Sequence, residues 1–371
     1  MKLKHDQYDY LTFILRGQPF HYGHAKVITT ALKHAKHVIV LIGSSNRARD
    51  WFNPFTFKER AKIVTEWYDE EVSDSDGRLT VLSLNDHLYN IDDWLTEVQT
   101  KVTTTVRTIQ PGWTNYPPKI GLIGHSKDHT SFYLNLFPQW GSINVEAFTD
   151  KRLFNSTDIR QAYYSPEASN FAWQALLEGI PPATMRFLEA HYGSDEYHHM
   201  IAEHDYIRQY KEDHKFRNPE IEYSPNNTAV DGCITQSGHI LLVERKDHPG
   251  AGLLAMPGGF LNKDESLLDA MLRECWEETK LKVAPRTIRG SITSMNVFDD
   301  PHRSARGRIL SNTFRVELEP STAGLPKVRG GSDAKKAMWV PLSELRPQEF
   351  FEDHYFIIQN MIGNTKGHNA Y

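Results

Sequence analysis

The first half of the chain alternates short apolar runs with stretches that carry apolar residues at helical spacing. The apolar runs are rich in β-branched residues, which is typical of strands buried on both faces. The predicted strands are Tyr10–Leu15, His37–Ile42, Leu79–Leu84 and Lys119–Ile123. The predicted helices are Gly23–Ala35, Lys58–Tyr68, Ile91–Val106 and Glu167–Glu178. This alternation predicts a doubly wound α/β domain with a parallel sheet and with ligands at the carboxyl ends of its strands.

The pattern changes after residue 186. Residues 187–222 are rich in His, Tyr and charged residues and poor in β-branched runs. They predict a solvated linker helix; the histidines also suggest a metal site, but no Cys or carboxylate recurs with them at ligand spacing.

Strand-like segments dominate after Asn226, at Thr228–Thr235 and Gly238–Glu244, and a helix is predicted at Ser266–Lys280. This mixture indicates an α+β domain. The expected organisation is an N-terminal domain at 1–186, a helical linker at 187–222 and a C-terminal domain at 223–371.

Composition narrows the class of protein. The 371 residues include 42 Lys and Arg against 47 Asp and Glu, a net charge of −5, which argues against a protein that coats nucleic acid or an anionic membrane. No apolar run approaches the ~20 residues of a membrane span, and the N-terminus lacks a signal-peptide pattern, so we expect a cytoplasmic protein. Cys233 and Cys275 are too few for a disulfide framework or a cysteine zinc site.

Residues 16–24 (RGQPFHYGH) follow the first predicted strand and open the next helix. A helix N-terminus presents unpaired N–H groups and partial positive charge, which favours a bound phosphate. His21 and His24, with Gly23 between them, lie at this helix start, where imidazoles can donate hydrogen bonds to phosphoryl oxygens. Paired histidines also cap helices, so the motif is informative mainly because it lies between a strand and a helix.

A second motif, NSTDIR at 155–160, precedes another helical stretch. Ser156 and Thr157 are typical N-cap residues, which is a sufficient structural explanation for them. Arg160 lies one turn into the helix and faces the same end, where its planar guanidinium can hold a phosphate through two hydrogen bonds.

Together these segments resemble the HxGH and SxTxxR signatures of the nucleotidylyltransferase superfamily. RGQPFHYGH is most similar to the GRFQPFHxGH segment of archaeal-type NMN adenylyltransferases, with Gly17 where Phe is usual. The resemblance implies transfer of the adenylyl group of ATP to nicotinamide mononucleotide (NMN), with Mg²⁺ on the triphosphate. The residues implied are Arg16, Gly23, Ser156 and Thr157 for binding and His21, His24 and Arg160 for catalysis.

The resemblance covers about the first 180 residues. Asn85-Asp86 with Trp94 is similar to a segment of that family that implies a nicotinamide pocket with an aromatic wall. Lys127 and Asp128 match its phosphate-side G..KD stretch and are implied to bind the nucleotide. Trp94 alone would more often be a core aromatic residue, but within this set of matches the pocket is favoured. The same matches argue against a pantetheine or glycerol phosphate as the acceptor.

In the second half, Gly259, Glu265 and the run 273–281 (RECWEETKL) resemble the Nudix pattern GX5EX7REUXEEXGU. Glu274, Glu277 and Glu278 are spaced i, i+3 and i+4, so their carboxylates share one face of a helix. Clustered carboxylates repel one another, and a hard divalent cation, Mg²⁺ or alternatively Mn²⁺, would neutralise them. Arg273 is four residues before Glu277 and can orient it. The resemblance implies that all three glutamates bind the metal and that Arg273 and Glu277 are catalytic.

Lys280 departs from the pattern, which has Gly at this position. If the position requires a positive φ, a residue other than Gly costs about 1 kcal/mol and would tilt Glu278. Hydrolysis is therefore less strongly implied than the fold.

Residues 297–308 (VFDDPHRSARGR) resemble a segment of ADP-ribose-handling Nudix proteins. The resemblance implies that Arg303 and Arg306 meet the diphosphate or the terminal ribose. Surface arginines in a loop are the ordinary alternative.

Both halves in this order resemble the bifunctional NMN adenylyltransferase/Nudix hydrolase family. The resemblance implies synthesis of NAD from NMN and ATP, and metal-dependent hydrolysis of ADP-ribose to AMP and ribose 5-phosphate. The alternative is an adenylyltransferase with a non-catalytic Nudix domain that senses ADP-ribose. The expected partners are these small molecules, without nucleic acid or membrane; the oligomeric state stays open, a homo-oligomer included.

Overall fold

The computed structural model describes residues 7–72, 77–112, 117–124, 133–134, 136–145, 155–164, 179–215, 226–331 and 333–363. The chain divides into two compact units, Met1–Ile201 and Ala202–Tyr371. The helix predicted at Glu167–Glu178, and Lys127 and Asp128, lie outside the described residues. Within the described ranges, no helix is long and apolar enough to cross a membrane.

The described part of unit 1 forms a five-stranded parallel sheet in the order β3-β2-β1-β4-β5. The strands are β1 (Tyr8–Leu15), β2 (Ala35–Ile42), β3 (Leu79–Ser83), β4 (Ile120–Gly124) and β5 (Gly141–Asn144). The helices are α1 (Tyr22–His34), α2 (Phe57–Trp67), α3 (Ile91–Ile109), α4 (Ser156–Tyr164) and α5 (Pro182–His191). The predicted parallel α/β fold is confirmed. The chain order reverses at β1, whose carboxyl end is therefore the place where such sheets bind ligands.

The segment predicted as a solvated linker is different in the structure. It contains the end of α5 and the whole of a 21-residue helix, α6 (Asp195–Lys215), and several of its side chains are buried. His191 is hydrogen-bonded to the Tyr163 hydroxyl (3.2 Å), and Glu203 is almost fully buried. The prediction of a solvated helix was wrong because Leu188, Met200 and Ile207 are buried together with His191 and Tyr197, although polar residues dominate the composition of the segment.

Unit 2 contains a mixed sheet in the order β10-β11-β6-β7-β12, with β8 paired to β7 and β9 paired to β6. Its strands are β6 (Asn227–Gln236), β7 (His239–Arg245), β8 (Leu254–Ala255), β9 (Gly258–Phe260), β10 (Ile292–Phe298), β11 (Ile309–Glu317) and β12 (Ala334–Pro341). Its other helices are α7 (Leu267–Thr279), α8 (Pro285–Gly290) and α9 (His354–Ile362). The α+β prediction is confirmed, and α7 begins after the N-cap Ser266, as its apolar spacing predicts.

One face of α7 is apolar and packs on the sheet. Ala270, Met271 and Cys275 are buried against Val230 and Leu241 of the central strands. The carboxylates of Glu274 and Glu278 are therefore held beside β9, whose glycines lie next to them.

Two candidate active sites

The loop between β1 and α1, residues 16–21, is held by side chains from other elements. Four of its carbonyl oxygens accept hydrogen bonds from side chains. These bonds are Arg60 to Arg16, Arg160 to Gln18 (2.7 Å), Ser156 to Pro19 (3.1 Å) and Thr184 to Phe20 (3.0 Å). The loop backbone is thereby fixed by groups that surround it.

Two residues explain the local path of this loop. Gly17 has φ +60°, a left-handed conformation that glycine adopts at little cost, so glycine suits the position where the resembling family has Phe. Gln18 is buried and exchanges two hydrogen bonds with the Phe55 backbone (2.9 and 3.0 Å). Phe55 lies in the segment at 53–56 (NPFT), just before α2, so this segment supports the loop.

His21 and His24 lie together at the start of α1, with ring centroids 3.8 Å apart. The Nδ1 atom of His21 accepts a hydrogen bond from the Gly23 amide (3.0 Å), and that of His24 accepts one from the His21 amide (3.4 Å). The two rings thus cap the helix reciprocally. In a neutral ring whose Nδ1 accepts, the proton is on Nε2, so both imidazoles are Nε2 donors.

Arg160 is buried, and its Nη atoms donate to the Gln18 carbonyl and to the Thr157 hydroxyl (3.3 Å). Burial lowers the pKa of its guanidinium to about 10. The contacts of Arg160 in this structure are with the protein, so its phosphate contact stays a prediction.

The residue that caps α4 differs from the prediction. Asn155 caps this helix, because its side-chain oxygen accepts from the amides of Thr157 (2.9 Å) and Asp158 (3.0 Å). Ser156 and Thr157, predicted as the caps, instead bind the Pro19 carbonyl and Arg160. Arg16, by contrast, has an exposed side chain.

Asn85 and Asp86 follow β3 and are linked to the segment that follows β2. Their side-chain oxygens accept from Ser45 (2.9 Å) and Ser44 (3.1 Å), respectively. The polar pair predicted from the sequence therefore lies at the carboxyl edge of the sheet, beside the segment that follows β2.

Trp94 on α3 is half-buried and packs against the apolar cluster that includes Phe137, with ring centroids 6.2 Å apart. These contacts are those of a core residue, which is the alternative weighed from the sequence. Its role as the wall of a nicotinamide pocket stays a prediction.

In unit 2, Arg273 binds three glutamates at once. It donates two hydrogen bonds to Glu265 (2.9 and 2.7 Å), and its Nη1 donates to Glu274 (2.7 Å) and Glu277 (3.3 Å). The hydrogen bonds to Glu265 raise the pKa of Arg273, and those from Arg273 lower the pKa of Glu265 to about 2. Arg273 therefore holds the motif's carboxylates in position.

The two glycines of β9 lie between carboxylates. A Cβ at Gly259 would overlap the Glu274 carboxylate, and a Cβ at Gly258 would overlap the carboxylate of Asp231. The Gly258 amide donates to Glu278 (3.0 Å). This close approach of backbone and carboxylates explains why the motif needs glycine here.

These carboxylates are electrostatically unfavourable neighbours. Burial raises the pKa of Glu278 to about 8, with Glu274 and Asp231 acting in the same direction and the Gly258 amide and Arg245 opposing them. Burial also raises the pKa of Glu274. Ionising these carboxylates is thus unfavourable unless a cation neutralises them, which favours a bound cation.

Lys280 ends α7 with φ +46°, so the position does adopt the left-handed conformation that favours glycine. Its ammonium lies 3.7 Å from the centre of the Trp276 ring. Glu278 nevertheless keeps its hydrogen bond to the Gly258 amide.

Arg303 and Arg306 are not surface arginines. Arg303 makes two hydrogen bonds to Asp353 (2.9 and 2.7 Å), with only 3% of its side chain exposed. Arg306 pairs with Glu352 (3.3 Å). Contact of Arg303 with a ligand would require it to leave a fully buried carboxylate, so the sequence-based role of Arg303 stays a prediction that its observed contacts do not support.

Arg245, at the end of β7, was missed by sequence reasoning. Its guanidinium carbon lies 4.1 Å from the centre of the Phe351 ring, over which Arg306 also lies at 5.5 Å. Its Nε donates to the Pro249 carbonyl (2.8 Å), and within the described part of the chain neither Nη atom makes a hydrogen bond or ion pair. Burial and the nearby Arg306 lower its pKa. Its place at a strand end next to a glycine-rich loop was the one signal in the sequence.

Comparison with known proteins gives two family matches. Residues 17–162 match the cytidylyltransferase-like model, and residues 225–361 match the NUDIX domain model. The chain is 32% identical over 191 residues to the nicotinamide/nicotinic acid mononucleotide adenylyltransferase of Acinetobacter baylyi, covering 52% of this chain and 90% of that protein. It is 34% identical over 132 residues to the ADP-ribose pyrophosphatase of Methanocaldococcus jannaschii, covering 36% of this chain and 70% of that protein.

A solved structure matches both units. It is a bifunctional NMN adenylyltransferase/ADP-ribose pyrophosphatase from Francisella tularensis in complex with AMP and a manganese ion. The TM-score is 0.84 at 30% sequence identity, and the match covers 96% of this chain and 98% of that one.

Proposed function

Since the chain belongs to the family of bifunctional NMN adenylyltransferase/ADP-ribose pyrophosphatases, we propose that it carries out both reactions, one in each unit. Unit 1 transfers the adenylyl group of ATP to NMN and so forms NAD. Unit 2 hydrolyses ADP-ribose to AMP and ribose 5-phosphate with a divalent metal ion.

In the transfer reaction, an oxygen of the NMN phosphate forms a bond to the α-phosphorus of ATP. The bond from that phosphorus to the bridging oxygen breaks, and pyrophosphate leaves. The attacking phosphate is already ionised, so no general base is needed, and catalysis consists of positioning and charge stabilisation. Mg²⁺ enters with the triphosphate as part of the substrate.

The observation that carries the transfer proposal is the loop at 16–21, whose carbonyls are held by side chains at the carboxyl end of β1. With its carbonyls held, the loop presents His21 and His24 at a helix N-terminus. Their Nε2–H groups would donate to phosphoryl oxygens, and Arg16 and Lys127 would neutralise phosphate charge. Arg160 contributes by holding Gln18, and its own phosphate contact is part of the proposal.

For the hydrolysis, the donor set fits a hard divalent cation. Glu274 and Glu278 are carboxylates with raised pKa values, next to a third carboxylate, Asp231. Glu274, Glu277 and Glu278 would hold the ion, which when bound polarises a phosphoryl oxygen and lowers the pKa of water.

The remaining roles belong to this chain's own residues. Water attacks one phosphorus of the diphosphate, the bridging P–O bond breaks, and the two phosphate monoesters leave. Glu277, which is half-exposed and oriented by Arg273, would accept the proton of the water. Arg245, whose Nε donates to the Pro249 carbonyl, would use its Nη atoms to bind the diphosphate together with Arg306.

Product analysis tests both halves. The pure protein is incubated with NMN, ATP and Mg²⁺, and separately with ADP-ribose and Mg²⁺ or Mn²⁺ in ¹⁸O-water. We expect NAD and pyrophosphate from the first mixture, and AMP and ribose 5-phosphate from the second, with ¹⁸O in the phosphate that was attacked. Protein that binds ADP-ribose but does not hydrolyse it with either metal contradicts the hydrolase and supports the sensing alternative.

A further inference from the structure

Residues 350–354, downstream of the Nudix motif and ending at the first residue of α9, are bound to the chain that leads into β9. The Phe351 amide donates to the Leu254 carbonyl (2.9 Å), and Phe350 forms a parallel bridge with Leu254. The Met256 amide donates to Nδ1 of His354 (3.2 Å). Met256 is 1% exposed and His354 is 7% exposed, so this hydrogen bond is shielded from water.

The Met256 amide is two residues from the amide that orients the buried glutamate. Gly258 donates to Glu278 (3.0 Å), and the intervening Pro257 carbonyl accepts from the Gly232 amide (2.9 Å). Gly258 lies close to β6, since a Cβ at this position would overlap the Val230 carbonyl and the Asp231 carboxylate. The position of this short segment therefore determines where the Glu278 carboxylate is held.

His354 is itself fixed from both sides. The preceding Asp353 is fully buried and makes two hydrogen bonds to Arg303. The Phe351 ring packs against the imidazole, with centroids 5.6 Å apart. Because Nδ1 accepts from an amide, the ring must be unprotonated there, and burial lowers its pKa in agreement with a neutral ring.

We infer that His354 is a positioning residue for the metal site, and that it orients the Glu278 carboxylate through Met256, Pro257 and Gly258. The inference rests on the proposed hydrolase site. Outer partners that orient metal ligands typically change metal affinity 10–100-fold when they are removed. It also gives the Arg303–Asp353 pair a function: the pair fixes His354, whereas buried ion pairs add little stability by themselves.

Three variants separate positioning from packing. His354→Asn places an amide oxygen where Nδ1 lies, His354→Gln carries its polar group one bond further, and His354→Leu removes the acceptor. Mn²⁺ affinity of the full-length, metal-depleted protein is measured by electron paramagnetic resonance, and melting temperature and kcat and KM for ADP-ribose are measured alongside. We expect His354→Asn to bind Mn²⁺ within about threefold of the wild type, and His354→Gln and His354→Leu to bind it ~10–100-fold more weakly. Their kcat should fall by a similar factor while KM changes less.

Two outcomes would overturn the inference. One is a folded His354→Gln protein with wild-type Mn²⁺ affinity; the other is an equal loss of affinity in His354→Asn and His354→Gln, which would indicate packing alone. If His354→Leu does not fold, the Asn and Gln pair decides. If the Mn²⁺ affinities of the variants follow the expected order but the wild type does not hydrolyse ADP-ribose, the proposed function is refuted and the inference is supported.

Discussion

The arginines that organise the two sites do so in different ways. In unit 1, Arg60 and Arg160 donate to neutral backbone carbonyls of the loop at 16–21, and burial lowers the pKa of each to about 10. In unit 2, Arg273 donates to three carboxylates, and its pKa is raised. The first site uses charged side chains to shape a backbone, and the second uses one to organise other charges.

This difference predicts different dependence on ions. The loop in unit 1 has its shape without a cation, because its partners are already paired with carbonyls. In unit 2, burial raises the pKa values of Glu274 and Glu278, so ionising these carboxylates costs stability until a cation binds. The variants below test this contrast, from the largest expected effect to the smallest.

Replacing His24 should have the largest effect. We expect His24→Ala to reduce NAD synthesis ~10²–10³-fold, because one donor to the transition state is lost. His24→Asn keeps the Nδ1-like acceptor that caps α1 but lacks the Nε2 donor, so it should be equally impaired. Steady-state rates with NMN and ATP measure this; near-normal activity of His24→Asn would show that the capping bond, and not the donor, is what matters.

Replacing Glu277 tests the carboxylate site of unit 2. Glu277→Gln keeps the size of the side chain and removes one charge, so ADP-ribose hydrolysis should fall at least ~10²-fold. The metal-free melting temperature should stay the same or rise slightly, because one repulsion is removed and the contact with Arg273 is half-exposed. Hydrolysis within tenfold of the wild type, or a parallel loss of NAD synthesis, would contradict the assignment.

The pH dependence of stability sharpens the contrast further. The folded-state pKa of Glu278 is raised from 4.5 to about 8, so the folded state retains a proton that the unfolded state loses. Glu278 should therefore contribute most to the stability of the metal-free protein below pH 4.5. This contribution is lost as pH rises toward 8. Glu278→Gln should flatten the fall in melting temperature between pH 5 and pH 8 in the presence of EDTA. Identical slopes for variant and wild type would show that this carboxylate is not held protonated.

The smallest effect concerns Lys280. Lys280→Gly relieves a left-handed backbone worth about 1 kcal/mol but removes a cation–π contact with Trp276 worth ~0.5–1 kcal/mol. These terms nearly cancel, so the melting temperature should change little. Hydrolysis should stay within about twofold, because Glu278 is oriented by the Gly258 amide. A tenfold faster variant would show that lysine misaligns the wild-type site.

The elements with strong periodicity were predictable, and the partners of polar side chains were not. The β-branched run at 37–42 and the spacing of α7 predicted a parallel strand and the glutamate-bearing helix, because local sequence determines them. Short β5 (Gly141–Asn144) carries too little pattern to be recognised. Arg303 had the appearance of a ligand contact but is paired with Asp353, fifty residues away along the chain. Such long-range pairing depends on the packed fold and leaves no local signal.

Mn²⁺ binding to the nucleotide-free protein tests the contrast between the sites most directly. Electron paramagnetic resonance titrations would compare the wild type, His24→Ala, and the double variant Glu274→Gln, Glu277→Gln. The account predicts equal Mn²⁺ affinity in the wild type and His24→Ala, and affinity at least ~10-fold weaker in the double variant. Unchanged affinity in the double variant, or loss of binding in His24→Ala, would contradict it.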